Sequence, residues 1–154
     1  MLIREYGERD CPEMAALFYN TVHAVNARDY TKEQLNAWAS GNINMDAWNR
    51  SFLKNYTLVA LENDILIGFG DIDNTGYLDH LYVHRDFQGQ GVATLLCDRL
   101  ETHFPISPVT THASITARPF FESRGYRILY EQQILAEFMT QDIPAISTTQ
   151  VMLC

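Results

Sequence analysis

The chain has 154 residues, 47% of them apolar, and carries 19 acidic against 11 basic side chains for a formal net charge of −8. That length suits one compact domain, residues 1–154, and is too short for two ordinary ones, while an acidic balance without any run of Lys or Arg excludes a nucleic-acid partner. Nowhere do about eighteen apolar residues run together and Met1–Tyr6 has no apolar targeting character, so no membrane association is expected; Cys11, Cys97 and Cys154, odd in number and far apart, suit reduced thiols in a cytoplasmic protein.

In chain order, Leu2 to Tyr6 alternates apolar and polar side chains and reads as a first strand. Asp10, with Glu13 three residues on, reads as a capping box opening a helix, and Met14, Leu17, Phe18, Thr21, Val22 and Val25 recur at the spacing of its buried face. A second capping signal, Thr31 with Gln34, starts a short helix carrying Leu35 and Trp38 that stops before Ser40-Gly41. A third helical turn holds Trp48 and Phe52. The period then changes to two: Thr57–Leu61 and Ile65–Phe69 form a hairpin around Glu62-Asn-Asp64, and Asn74-Thr75-Gly76 turns into a third strand, Tyr77–His84. A Gly-rich turn, a helix with Val92, Leu95, Leu96, Arg99 and Leu100 on one side, and a strand around Val109–Ser114 follow, an order that predicts a parallel crossover. The chain finishes with a short helix from Ala117 to Arg124 closed by Gly125, a strand from Tyr126 to Ala136, and a last strand from Thr148 to Leu153. The expected fold class is α+β: a mixed, mostly antiparallel sheet flanked by helices, with its one parallel crossover marking where two strands part around a ligand.

The loop Gln88-Gly89-Gln90-Gly91-Val92-Ala93 lies between a strand and the first turn of a helix, where unpaired backbone N–H groups converge and the helix dipole favours an anion. A dinucleotide fingerprint would need a third glycine where Thr94 stands, and a P-loop would need Gly-Lys-Ser/Thr. A pyrophosphate held without metal fits better than either.

These residues also carry a family resemblance. Leu81-Tyr-Val-His-Arg-Asp-Phe-Gln-Gly-Gln-Gly-Val-Ala93, followed by Leu95-Leu96, resembles the acetyl-CoA motif of the GNAT acetyltransferases. A second block, Ala113-Ser-Ile-Thr-Ala117 with Phe120-Phe121 and Gly125-Tyr126, resembles the later pattern of the same family, and Tyr30–Leu35 with Ala37–Ala39 resembles its acceptor-side region. The resemblance implies an N-acetyltransferase fold with strands splayed around acetyl-CoA as cosubstrate. It implies that backbone amides of Gln88, Gly89, Gln90, Gly91, Val92, Ala93 and Thr94 hold the pyrophosphate. Main-chain groups along Leu81, Tyr82 and Val83 would pair with pantetheine, Ser114 would contact it and Phe121 would pack on it. The first of those strand amides would also polarise the thioester carbonyl.

Acetylation by direct attack needs a base, because an amine is mostly protonated at neutral pH. Counting back from Leu81 along one strand face reaches Asp79 and Tyr77; Asp79 is the expected base, directly or through water, and His80 is expected to point the other way. The tyrosine that the family often uses as general acid is replaced by Phe121, which leaves Tyr126, Tyr77 or unassisted thiolate departure. Gln88 and Gln90 stand where relatives often carry basic side chains, leaving the backbone cradle intact. Asp71 to Asp79 mimics the start of an EF-hand loop, but the twelfth position is Tyr82 rather than Glu, and the His residues show no ligand spacing, so no metal is expected. Phe18, His23 and Trp38, with Tyr19 and Trp48 nearby, are the candidates for binding a small-molecule or peptide amine. The alternative left open is an acyl-CoA-binding or regulatory domain without catalysis. A terminal strand that can be completed within or between chains allows a homodimer.

Overall fold

A computed structural model describes residues 1–106, 108–135 and 146–153, with side chains to residue 128. Twelve regular elements follow in order: β1 (Leu2–Glu5), α1 (Cys11–Ala24), α2 (Lys32–Trp38), α3 (Met45–Lys54), β2 (Tyr56–Glu62), β3 (Ile65–Ile72), β4 (Tyr77–Val83), α4 (Val92–His103), β5 (Thr110–Ser114), α5 (Arg118–Ser123), β6 (Arg127–Leu135) and β7 (Ile146–Leu153). Ala136, the expected end of a strand, and Cys154 lie outside the described residues. The strands form a sheet in the order β1-β2-β3-β4-β5-β7-β6, antiparallel except where β4 meets β5. No helix among the described residues is long and apolar enough to cross a membrane.

The expected mixed sheet is therefore present, and helices cover both faces. Val92, Leu96 and Leu100 of α4 pack with Leu58, Ile67, Ile72 and Leu78 on one face; Met14, Phe18 and Val22 of α1, with Leu35 and Phe52, pack on Val59 and Phe69 on the other. Two adjacent strand residues thus serve opposite cores, as strand pleating requires. The hairpin between β2 and β3 turns at Asn63 and Asp64, whose φ values of 50° and 65° are tolerated by these short polar side chains. At α2, Thr31 accepts from the Gln34 N–H at 3.2 Å while the Gln34 side chain accepts from the Thr31 N–H at 2.8 Å, so that capping box forms as read.

The Asp10–Glu13 box does not form. A 3-10 turn over Glu8–Asp10 precedes α1, and the Asp10 carboxylate faces backwards, accepting from both Arg4 guanidinium nitrogens at 2.8 and 2.9 Å and from Gly7 N–H at 2.8 Å. Arg4 hydrogen bonds, with a further one from Gly7, outweigh desolvation and hold the Asp10 carboxyl below the usual range. A charged donor on β1 outcompeted the local helix amides.

Two glycines let β3 sit directly under α4. A Cβ on Gly70 would lie 2.9 Å from Leu100 Cδ1 and 3.0 Å from the His80 carbonyl oxygen, and a backbone atom cannot swing aside. Gly70→Ala is expected to lower stability by about 1–3 kcal/mol through overpacking, read as a reduced denaturant midpoint at unchanged m-value.

Candidate active site

The parallel pair is short. β4 and β5 pair only at Tyr77 with Thr110 and Leu78 with Thr111, locked by the Thr111 hydroxyl donating to the Leu78 carbonyl at 2.8 Å. Beyond Leu78 the strands part, and a cavity of about 360 Å³ runs along the gap. One end is the Gly-rich loop, with Gln88, Gly89, Gly91, Val92, Ala93 and Thr94. Asp79, Leu81, Tyr82 and Val83 line the β4 wall, and Ala113, Ser114 and Phe121 the opposite one. The other end reaches Thr21, Asn26 and Trp38 on the α1–α2 side.

At the loop, Gly91 caps α4 at φ +85° without a side chain, and Gly89 sits at φ +71°. A Cβ at either position would meet nothing within 4 Å, so the space above the loop is open. The first intrahelical bond runs from the Leu95 N–H to the Gly91 carbonyl at 3.0 Å, leaving the amides of Val92, Ala93 and Thr94 without helix partners. The glutamines brace the loop from behind: Gln88 Nε2 donates to the Val83 carbonyl at 2.6 Å and Gln90 Nε2 to the Asp86 carbonyl at 3.2 Å. Free amides, a helix N-terminus and unfilled space above two glycines fit a phosphate group.

Asp79 owes its position to a bulge. Asp71 pairs with His80, but the next pair is Ile72 with Leu78, so Asp79 is an extra residue in β4 with no opposite number. The bulge breaks the alternation used to count back from Leu81. Leu78 packs on the α4 side and His80 on the side of Trp48 and Phe52, although two-residue spacing would put them together. Asp79 and His80 consequently approach, with 3.6 Å between Asp79 Oδ2 and His80 Nδ1. His80 points to the face opposite Leu81, as alternation predicts, and its ring nitrogen nonetheless comes within reach of Asp79.

Desolvation raises the Asp79 pKa above its ordinary value, and Asp71 and Asp73 add to the rise while His80 and His112 oppose it. Its side chain is 37% exposed and lines the cavity. Asp71, Asp79 and His80 bring one ligand atom each within 4.8 Å of one another. Both Asp71 oxygens are already engaged, Oδ1 by the His80 N–H and ring and Oδ2 by Asn55 Nδ2 at 3.0 Å, which suits an internal hydrogen-bonded set better than an ion. The EF-hand-like stretch is accordingly two strands and a turn, in which Asp73 accepts from Thr75 and Tyr77 amides.

Other expected residues are placed differently. Tyr77 lies before the bulge, its ring 5.2 Å from His112, and does not line the cavity. Tyr126 donates to Glu101 Oε2 at 2.5 Å, and Phe121, which lines the cavity, meets the Tyr126 ring edge-on at 4.9 Å between centroids. Neither tyrosine reaches the gap. Phe18 is core, edge-on to Tyr82 and Trp48, and His23 Nε2 contacts the Ala39 carbonyl at 2.7 Å, tying α1 to the end of α2. Of the acceptor candidates, Trp38 lines the cavity. Thr21, which the helical spacing marks only as part of the buried face of α1, and Asn26, both buried polar residues, line it too. Their signal was available as polar side chains interrupting or ending an apolar helical face. Burial raises the pKa of Tyr82, the tyrosine that lines the cavity among the described residues, with hydrogen bonding from Trp38 opposing the rise. At this end the Tyr30 hydroxyl accepts from the Ile115 N–H at 2.9 Å and Thr116 Oγ1 donates to Asp29 at 2.7 Å, fastening the segment before α2 to the end of β5.

Comparison with known proteins agrees with this geometry. A family model described as an acetyltransferase (GNAT) domain matches residues 26–140. The uncharacterized N-acetyltransferase YafP of Escherichia coli K12 is 32% identical over 133 residues, 86% of this chain and 85% of that protein. A GCN5-related N-acetyltransferase structure from Rhodopseudomonas palustris superposes with TM-score 0.89 at 27% identity, covering 99% of this chain and 93% of the other. The PaiA N-acetyltransferase of Thermoplasma acidophilum, solved in complex with coenzyme A, shares the fold with TM-score 0.74 at 14% identity, over 99% and 96% of the chains. YncA of Salmonella typhimurium, solved with its cofactor acetyl-CoA, shares it with TM-score 0.67 at 18% identity, over 100% and 92%.

Proposed function

The chain belongs to the GNAT acetyltransferase family, and from that premise we propose that it moves the acetyl group of acetyl-CoA to a primary amine by direct attack on the thioester. The observation that carries this reading is the continuous cavity through the β4–β5 gap, which joins an anion cradle to a carboxylate and then to a polar end on the α1–α2 side. The amides of the Gly89–Thr94 turn would hold the pyrophosphate. The unpaired edge of β4 beyond Leu78 would hold the pantetheine amides as an added strand, with Ser114 opposite. Acetyl-CoA supplies the activated acetyl group, and a thiolate is its leaving group.

Asp79 takes the proton from the acceptor ammonium, directly or through water, from its place on the cavity wall. Its raised pKa strengthens it as a base relative to an ordinary aspartate. No general acid is required, because a thiol of pKa about 8.5 leaves readily as thiolate, and the second proton of the attacking nitrogen passes to that thiolate or to solvent as the amide forms; Phe121 at the family's tyrosine position is then without penalty. Among the described residues no Lys or Arg lines the cavity. A cationic small-molecule or peptide amine whose remaining groups are neutral therefore suits it better than one carrying a carboxylate.

The rival reading, an acyl-CoA-binding module without turnover, is favoured by Phe121 alone. Calorimetric titration with CoA, acetyl-CoA and NADH, followed by thiol-release assays over a panel of amines, separates the two. Binding of both CoA species but not NADH, with thiol release stimulated by amine, is the expected result. Binding without release by any amine supports the module, and absence of binding overturns the reading.

A further inference from the structure

We propose that His80 is a positioning residue for Asp79: its imidazolium, seated between the buried Asp71 and the cavity-lining Asp79, fixes that carboxylate at the bulge and keeps it unprotonated for the incoming ammonium. The inference rests on Asp79 being the base.

The geometry assigns the proton on the ring. Asp71 is fully buried, and its Oδ1 lies 2.9 Å from His80 Nδ1 and accepts the His80 backbone N–H at 2.9 Å. A carboxylate only accepts, so Nδ1 carries hydrogen and donates to Asp71. Asp79 Oδ2 lies 3.6 Å from the same nitrogen, close enough for strong charge attraction without competing for the hydrogen bond. The ring is walled by aromatic groups: Trp48 at 5.6 Å, Phe52 at 5.4 Å, Phe69 at 6.3 Å and Tyr82 at 6.3 Å between centroids. Only 22% of the side chain is exposed, so water screens little of this attraction.

The charged and titratable groups around His80 are few. Asp71 comes from β3, Asp79 and Tyr82 from β4, and α3 contributes only uncharged rings. Burial acts against the imidazolium, yet Asp71 and then Asp79 outweigh it, and the net shift of His80 is upward. Seen from Asp79, burial and the neighbours Asp71 and Asp73 favour protonation, with His80 the largest opposing influence and His112 a smaller one. Taking away the His80 charge leaves Asp79 among groups that all favour protonation except His112. The Asp71 carboxylate, within 4.8 Å of it, then acts on Asp79 without an intervening cation.

His80→Gln keeps an N–H donor and removes the charge. The expected result is that the acid limb of kcat/KM for the best amine moves up by about one pH unit, so that the deficit approaches about tenfold on the acid side of both limbs and shrinks as pH rises. A purely structural role would give a pH-independent loss. Asp79→Asn serves as the reference. If it retains wild-type turnover, the assignment of the base fails; if it is inactive while the acid limb of His80→Gln stays in place, the His80 inference alone fails. A second measurement needs no active variant. In NMR titration of the free protein, the His80 ring should stay protonated to higher pH than an ordinary histidine, and Asp71→Asn should lower that midpoint; a ring neutral at pH 7 overturns the proposal.

Discussion

Asp79→Asn is expected to lower kcat/KM for the amine by about 10²–10⁴-fold while leaving the Kd for acetyl-CoA within about threefold, the usual worth of a positioned general base. The substitution preserves shape and removes one capacity, accepting a proton at neutral pH. Asp79 has no cross-strand partner, since it is the bulged residue, so no ladder hydrogen bond depends on its side chain. The loss should diminish at high pH, where a growing share of the amine arrives already neutral. Stopped assays from pH 6 to 10, with calorimetry of acetyl-CoA binding on the same preparation, check both halves. Turnover within threefold of wild type across that range would remove Asp79 from the mechanism.

The second large effect is expected at the loop. Replacing Gly89 and Gly91 together by Val should weaken acetyl-CoA binding by more than about 100-fold. Each glycine has positive φ, a conformation costing an L-residue roughly 1–2 kcal/mol, and each leaves open space above the loop that a side chain would enter. Neither added Cβ meets a protein atom within 4 Å, so the damage should fall on the ligand and on loop geometry more than on the core. Retained affinity would place the cofactor elsewhere. Circular dichroism and the thermal midpoint of the double variant identify the case in which the loop change unfolds α4.

Much of this was legible in the sequence because it was local. The Thr31–Gln34 box, the Asn63-Asp64 turn and the Gly89–Gly91 helix start each depend on a few adjacent residues, and the crossover followed from element order. What escaped depends on partners far along the chain. Asp10 chose Arg4 over the helix amides, a competition that no spacing within α1 records. The bulge at Asp79 is a property of how β3 and β4 align, so counting by twos along β4 failed beyond it and put Tyr77 beside a cavity that it does not line. At the acceptor end, helical spacing identified the apolar face of α1, which is core, whereas the cavity lies beside its C-terminal end, where Thr21 and Asn26 sit.

The two glutamines behind the Gly-rich loop have a consequence for how a polyanion arrives. Because Gln88 and Gln90 spend their donors on the Val83 and Asp86 carbonyls, the grip consists of fixed backbone dipoles whose pull fades within the first helical turn. At longer range the approaching phosphates meet the field of a chain with net charge −8. Ionic strength then works opposite to its usual sense for phosphate ligands: added salt screens the repulsion and speeds encounter, while the short-range hold, once made, is little disturbed.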